Sequence, residues 1–341
     1  MSAEPSVSVV IVNYNGRALL KECLDSLGAQ TLKGFEVILV DNDSTDDSVA
    51  FVMAGYPGVT VIRNPTNLGY GGGNNAGIRA ARGKYAVFLN NDTEVDSRWL
   101  EQLVGPAERD ASVGMCASKI LNYYDRAVLD NAGLLMYRDG IARGRGRLER
   151  DAGQYDREEE IFFPSGCACL YRREIFEQLG EFDEDFFLYV DDVDMGLRAR
   201  LGGWKCIYVP SAVVYHKYSA TTEAYSPLKA LLVERNRIWV MIKCFPWSMI
   251  LASLFHTLLR YSLQGYGMVK GRGAGSRFVK SGSALGGVAI LLRAYADAFA
   301  KYGIMMAKRR RIMSLRKVDN AAFREWFRRY GIGAAELALK D

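Results

Sequence analysis

The chain has 341 residues, 49% hydrophobic and 24% charged, enough apolar side chain for one large domain or two, which excludes wholesale disorder. Its net charge of +5 is uneven: residues 243–317 carry +13 with Asp297 as their one acid, residues 318–341 sum to zero, and residues 1–242 hold −8. Six scattered cysteines, of which only Cys167 and Cys169 are close, exclude a paired-cysteine zinc site and fit reduced thiols, and no basic segment or long apolar run at the N-terminus suggests a signal peptide.

Residues 7–12 are a β-branched run bounded by polar residues and predict a buried first strand. Apolar positions Ala18, Leu19, Leu20, Cys23, Leu24 and Leu27 predict a helix over 17–30. A second strand covers 35–40, followed by a helix to Val52 for which Ser44 and Asp46 offer N-caps. Strands follow at 59–63 and 85–89, separated by a Gly- and Asn-rich segment over 64–77 and a helix from 78 to 81. Four strands alternating with helices predict an α/β fold with a doubly wound, mostly parallel sheet. The polar stretch 138–160 reads as a mobile loop over a site. Helices are predicted at 173–179 and 193–201, and strands at 206–209 and 213–216.

The texture changes after residue 231. Residues 245–263 are apolar but broken by Pro246, His256 and Arg260, and 283–292 are apolar but short, so neither run reaches the roughly 20 residues of a spanning helix. Between and after them lie the basic, glycine-rich VKGRGAGSRFVKSG and the block Lys308–Arg309–Arg310–Arg311. Apolar faces alternating with basic clusters predict helices lying on an anionic membrane surface. The alternative is a helical subdomain or a homodimer interface. The division expected is a catalytic domain over 1–242, in halves of about 1–115 and 116–242, and a basic, apolar helical region over 243–341.

The residues that carry chemistry stand at strand ends. In FLNNDT (88–93), Asp92 follows an apolar strand, where open α/β sheets hold their ligands. A carboxylate there suits a hard divalent cation that keeps substrate phosphates as partners. His216 follows the strand VVY in the same way and could add a ligand. In FLYVDDVDMGLRAR (187–200), Asp191, Asp192 and Asp194 open a helix; adjacent carboxylates repel and raise one pKa, which poises a general base. Capping, with Asp194 paired to Arg198 at i,i+4, is the structural alternative. Asn13, Tyr14 and Asn15 end the first strand, where an aromatic could stack on a base. Asp41 in VDNDS could accept the imino proton of a pyrimidine, while Asp43 or Ser44 could cap a helix. The glycines of NLGYGGGNNAGIRAA (67–81) permit close backbone approach to a phosphate or sugar, or form a plain turn.

In this order the motifs VSVVIVNYN, VDNDS, NLGYGGGNNAGI, FLNNDT, the segment FFPSGCACLYRREIFEQLGEFDEDFFLYVDDVDMGLRARLGGWK and VVYHKYSATT resemble family 2 glycosyltransferases of the GT-A fold, and within them the bacterial rhamnosyltransferase-like branch. The resemblance spans about residues 6–240. It implies a donor site of Val12, Asn13, Tyr14, Asp41, Asn42, Gly69, Asn74, Asn75, Asn90 and Asn91. Asn90, Asn91 and Asp92 match the family's D-x-D motif, with Asn90 replacing its first acid. Asp92 matches the metal-binding acid and His216 a further metal or phosphate ligand, for Mg2+ or Mn2+. Asp191 and Asp192 match the Glu-Asp base motif, with Asp192 as the base. Arg residues of ERNRIWVMIK (234–243) would meet the diphosphate or acceptor.

The implied reaction is inverting transfer of a hexosyl group by single displacement. The sugar implied first is L-rhamnose from dTDP-rhamnose, with UDP-hexoses as the alternative. The acceptor implied is a glycan, carried on a polyprenyl diphosphate, in bacterial cell-surface polysaccharide synthesis. The expected location is cytoplasmic, peripheral on the inner face of the cytoplasmic membrane. A nucleotidyltransferase would need a basic phosphate loop near the first strand, where only Arg17 and Lys21 occur. A nucleic-acid-binding role for 243–317 would need aromatics interleaved with the basic residues, and the apolar runs argue against it.

Overall fold

The computed structural model describes residues 4–217, 226–272 and 284–340. The end of the VVYHKYSATT motif and most of VKGRGAGSRFVKSG lie outside the described residues. The chain forms two compact units: residues 1–134 with 144–221, and residues 135–143 with 222–341.

The first unit begins with β1 (Val7–Asn13), α1 (Leu20–Gly28), β2 (Phe35–Asp41), α2 (Ser48–Gly55), β3 (Val59–Arg63), α3 (Gly69–Ala80) and β4 (Tyr85–Leu89). Then come β5 (Thr93–Val95), α4 (Trp99–Arg109), β6 (Val113–Asn122) and β7 (Leu129–Asn131). A separate two-stranded sheet of β8 (Leu134–Met136) and β9 (Ala142–Gly144) intervenes before β10 (Glu159–Ile161), β11 (Ala168–Arg172), α5 (Arg173–Leu179), α6 (Asp191–Leu201) and β12 (Lys205–His216). The main sheet has the order β10-β12-β6-β11-β4-β1-β2-β3, with β5 added to β12 and β7 to β6. It is mixed. β1, β2, β3 and β4 run parallel, as do β6 and β12, but β11 lies antiparallel between β4 and β6.

Side-chain alternation along β1 builds the layers. Val7, Val9 and Ile11 face a core with Leu20, Cys23, Leu24 and Leu27 of α1 and Trp99, Leu100 and Leu103 of α4. Val10 faces a second core with Ile78 of α3, Ile175 and Phe176 of α5 and Met195 of α6. Burying both sheet faces under helices is what the unbroken apolar strands require.

Several local expectations are corrected. The glycine-rich segment is not a loop: α3 begins at Gly69, and its glycines are buried. A Cβ at Gly77 would strike Val10, and one at Gly73 would strike Val12 and Asn42, so the glycines let the helix approach β1 closely, not a ligand. The stretch 138–160 is built rather than loop-like. It contains β9 and the start of β10, and Lys119 holds it through Asp151 and Asp156, each at 2.6 Å. The two predicted strands at 206–209 and 213–216 are one strand, β12, with a register shift between Val209 and Val213. Asp46, not Asp43 or Ser44, binds the start of α2, its carboxylate accepting from Ser48 N at 3.1 Å.

The second unit is helical: α7 (Pro227–Cys244), α8 (Trp247–Val269), α9 (Ala284–Ala300), α10 (Tyr302–Ser314), α11 (Asn320–Arg329) and α12 (Ala334–Leu339). Ser226 caps α7, its Oγ accepting from Lys229 N, and Pro227 stands at the first turn, where its missing N–H costs nothing. Residues 135–143 belong here because Asp139 joins a buried ion cluster: Arg260 Nε lies 2.6 Å from Asp139 Oδ2 and Arg260 Nη1 2.8 Å from Glu234 Oε1. Although burial opposes it, Arg237 and Arg260 hold the Glu234 carboxyl down at about 2. Arg237 is fully buried and donates to Asp139 O, Tyr261 Oη and Tyr295 Oη, so it belongs to this cluster and not to a diphosphate contact. The block 308–311 is not one solvated face either. Arg309 turns inward and donates to the carbonyls of Ile242 and Phe245, both at 2.7 Å. Among the described residues no helix is long and apolar enough to cross a membrane.

Candidate functional site

The parallel strands β1 and β2 place Asn13 and Asp41 side by side at their carboxyl ends. Asn13 Nδ2 donates to Ser44 Oγ at 3.2 Å and to Asp41 Oδ1 at 3.4 Å, and Asn13 Oδ1 accepts from Asn91 Nδ2 at 2.8 Å. One amide thus ties together the ends of β1, β2 and β4. Asp41 is buried, and its other oxygen accepts from Ser44 N at 3.1 Å. Asn15 and Asp43 take positive φ in the two turns, a conformation Asn and Asp adopt more readily than most. Tyr14, next to Asn15, is exposed, so its ring is open to a planar partner. Val12 and Asn42 line the approach of α3, and Asn42 Nδ2 donates to Gly69 O at 2.8 Å.

Asn74 and Asn75 are buried. Asn75 is spent on the chain itself: Nδ2 donates to Phe182 O and Glu184 Oε1, and Oδ1 accepts from Phe182 N. Asn74 Nδ2 donates to Tyr70 O at 3.0 Å. Gly69 has φ +70, and a Cβ there would collide with the Phe187 carbonyl, which accepts from Tyr70 N at 2.7 Å. α3 thereby fixes the segment that leads into α6. That segment is strained: Phe187, Tyr189 and Val190 all have φ between +65° and +69°, a genuine outlier for β-branched Val190.

The strain ends at the paired acids. Asp191 is buried, and its Oδ1 has no hydrogen-bond partner among the described residues. Burial, then the carboxylates of Asp192 and Asp194, push its pKa well above the usual carboxylate range. Asp192 is half-buried; its Oδ2 accepts from Gly166 N and its Oδ1 from Val193 N, both at 2.9 Å. Burial raises its pKa, and those N–H groups temper the rise. Asp194 pairs with Arg198 at 2.9 Å, as the i,i+4 spacing predicts.

The antiparallel pairing of β12 with β5 sets His216 opposite Thr93 and so beside Asp92. His216 Nε2 lies 3.3 Å from Asp92 Oδ1, and Nδ1 lies 2.7 Å from Asp130 Oδ2. Burial disfavours the imidazolium, but Cys167, Asp130 and Asp92 around the ring outweigh it and lift the pKa well above the ordinary histidine value. Residues 166 and 167 connect Asn90, after the end of β4, with Asp192. Cys167 O accepts from Asn90 N at 2.8 Å, while Gly166 N donates to Asp192.

Asp92 and, once its Nε2 proton is displaced, His216 could supply two ligands to a divalent cation. A carboxylate oxygen and an imidazole nitrogen face each other, and Asp130 orients the imidazole from behind, as outer-shell acids do at metal sites. Among the described residues no group of three or more His, Cys, Asp or Glu is disposed to hold a metal. The remaining positions would fall to phosphate oxygens and water, the usual arrangement for Mg2+. Sequence reasoning missed Asp130, Gly166 and Cys167. Asp130 sits on a three-residue strand in LDN, and only the fold brings it to His216.

Comparison with known proteins bears on the family and the fold. The sequence model of glycosyl transferase family 2 matches residues 8–180. The chain is similar to the O-antigen biosynthesis protein RfbC of Myxococcus xanthus, 31% identical over 232 residues; that covers 64% of this chain and only 18% of the relative. It is also similar to the N-acetylglucosaminyl-diphospho-decaprenol L-rhamnosyltransferase of Mycobacterium tuberculosis, 30% identical over 257 residues, 69% of this chain and 83% of the relative. A solved structure of GalNAc-T7 with UDP, GalNAc and Mn2+ superposes with a TM-score of 0.59 at 19% identity, over 71% of this chain and 48% of its own, which shows the GT-A fold. The chain belongs to glycosyl transferase family 2.

Proposed function

We propose that this protein transfers one sugar, with inversion, from a nucleoside diphosphate donor to a glycan acceptor carried on a polyprenyl diphosphate, in bacterial cell-surface polysaccharide synthesis. The observation that supports this is that Asn90, two residues before Asp92, donates to Cys167 O while the adjacent Gly166 N donates to Asp192. Asp92 would then serve as the cation-binding acid and Asp192 as the base, near one end of the sheet. The strand-end group Val12, Asn13, Tyr14, Asp41 and Asn42 would take the nucleotide, with Tyr14 stacked on the base and Asp41 at its edge. Asn90 and Asn91 would face the donor, while Gly69, Asn74 and Asn75 would act by holding the surrounding backbone. L-rhamnose from dTDP-rhamnose is the proposed donor; the name of the Mycobacterium tuberculosis relative supports it, as it supports a lipid-linked acceptor.

Asp92 and His216 would hold Mg2+ or Mn2+. When bound there, the cation would offset the charge of the diphosphate leaving group. Mn2+ in the GalNAc-T7 structure supports a divalent ion. Asp192 would take the proton of the acceptor hydroxyl as its oxygen attacks the anomeric carbon, and the diphosphate would depart from the opposite face. Fixed hydrogen bonds from Gly166 N and Val193 N keep that carboxylate aimed, so orientation supplies much of the rate.

The test compares variants with dTDP-rhamnose and UDP-hexoses, reading donor binding by thermal shift and transfer by product. Asp192→Asn should lose transfer and keep donor affinity, because a base acts in the transition state. Asp191→Asn should be milder, and Asp92→Asn should lose metal-dependent donor binding. If Asp191→Asn is the more damaging variant, Asp191 is the base. If Asp92→Asn keeps the metal dependence, the metal assignment is wrong.

A further inference from the structure

Helix α8 is built inside out. Its buried positions are Ser253, Thr257, Arg260 and Gly267. They recur at i, i+4, i+7 and i+14, one stripe along the helix, and Arg260 is committed to Glu234 and Asp139. The opposite face is apolar. Leu251, Leu254, Phe255 and Leu258 are 65% to 71% exposed, more than most polar residues of a surface helix need to be. Arg260 is the one Lys, Arg, Asp or Glu in the 23 residues of α8. A helix of a water-soluble unit shows the reverse pattern, apolar inward and charged outward. Helix α9 repeats the feature, with exposed Val288 and Leu292 one turn apart.

We infer that the outer face of α8 lies on a bilayer containing anionic lipid, with the helix in the plane of the interface. Charge selects this occupant. Residues 243–317 carry 14 Lys or Arg against one acid, Asp297; Lys243, Arg260 and Arg309 of these are buried, and Lys270 and Arg272 stand exposed directly after α8. A second copy of the chain would bring the same positive excess to the contact, and like charges set against each other oppose association. An anionic bilayer offers opposite charge at the headgroups and an apolar interior for the leucines. At 23 residues the helix is long enough to cross a bilayer but not apolar enough, which leaves the in-plane orientation. The inward stripe explains why the helix can stay polar beneath: Arg260 and Thr257 satisfy the unit's own interior.

This inference stands apart from the choice of sugar and acceptor, because its test reads membrane binding and not transfer. The full chain is floated with phosphatidylcholine vesicles, with and without phosphatidylglycerol, at low and high salt. The chain should float with the anionic vesicles, and floating should weaken at high salt without vanishing, since apolar insertion is not screened. Leu254→Gln/Leu258→Gln should weaken binding at least roughly tenfold, the worth of burying one leucine, with unchanged melting temperature because both residues are exposed. Arg310→Ser/Arg311→Ser should remove part of the salt-sensitive binding only. The inference is overturned if the chain stays with the unbound fraction at low salt, or if the leucine variant floats like the parent. It is also overturned if the parent is a dimer in solution that the leucine variant dissociates, which would assign the face to a second copy.

Discussion

Asp191→Asn should make the protein more stable near neutral pH while leaving the base in place. Asp191 is buried, its Oδ1 lacks a partner among the described residues, and Asp192 and Asp194 lie beside it. Its carboxyl therefore holds a proton that the unfolded chain, with an ordinary value of 3.8, has already released. At pH below that value both states are protonated and the residue is neutral in the balance. As pH rises, the unfolded chain gains by ionising and the folded chain does not, so the penalty grows until the folded carboxyl itself ionises. Each pH unit in that window costs about 1.4 kcal/mol, which caps the penalty at pH 7 at about 4 kcal/mol. Asparagine removes the ionisation but leaves an unpaired amide, at a cost of about 1–3 kcal/mol. The net gain should thus be on the order of 1–3 kcal/mol at pH 7 and turn into a loss of similar size near pH 4, where the ionisation penalty is gone and the cost of the amide remains. Urea unfolding of parent and variant across that range measures it. A variant whose advantage is the same at pH 4 and pH 7, or is greatest at pH 4, would refute the account of Asp191 as a buried acid held neutral by its neighbours.

Asp130→Asn should weaken divalent-cation binding about ten- to hundredfold, because an amide supports the His216 imidazole less well than a carboxylate 2.7 Å away. Manganese titration in the presence of nucleoside diphosphate measures this, and unchanged affinity would remove Asp130 from the site. Arg309→Ala should lower stability by about 2 kcal/mol or more, since it leaves the carbonyls of Ile242 and Phe245 without their charged donor. Arg310→Ala beside it, at an exposed position, should cost within about 0.5 kcal/mol.

The parts of the fold legible in the sequence were those settled by short-range pattern. β3, β4 and α5 fall where β-branched runs and 3.6-residue spacing put them, and the Asp194–Arg198 pair follows from helix geometry alone. α3 was illegible for a physical reason: five glycines in a row of twelve residues argue against a helix by propensity, and the close approach to Val10 and Val12 overrides it. Asp92 and His216 could each be picked out as a strand-end residue, but their approach to 3.3 Å depends on how β12 pairs with β5. Asp130 carried no local signal because its partner is 86 residues away. The ion pairs of Arg237 and Arg260, and the inward turn of Arg309, are likewise long-range. A charge count sees a basic region there and cannot tell which guanidinium groups face water.

The register shift in β12 bears on how this lineage can change length. Before the shift Val209 pairs with Ser118; after it Val213 pairs with Lys119, so three residues occupy what would otherwise be a single step along the partner strand. An odd number of added residues exchanges the two faces of everything downstream. His216, which meets Asp92, lies downstream of that exchange. Loss or gain of one residue among Pro210, Ser211 and Ala212 would leave the hydrophobic ladder with a neighbouring alternative and carry the imidazole to the other side of the sheet. Substitution at exposed Ser211 is thus a different matter from deletion: that side chain can drift, while the number of residues in the shift is constrained by His216 further on.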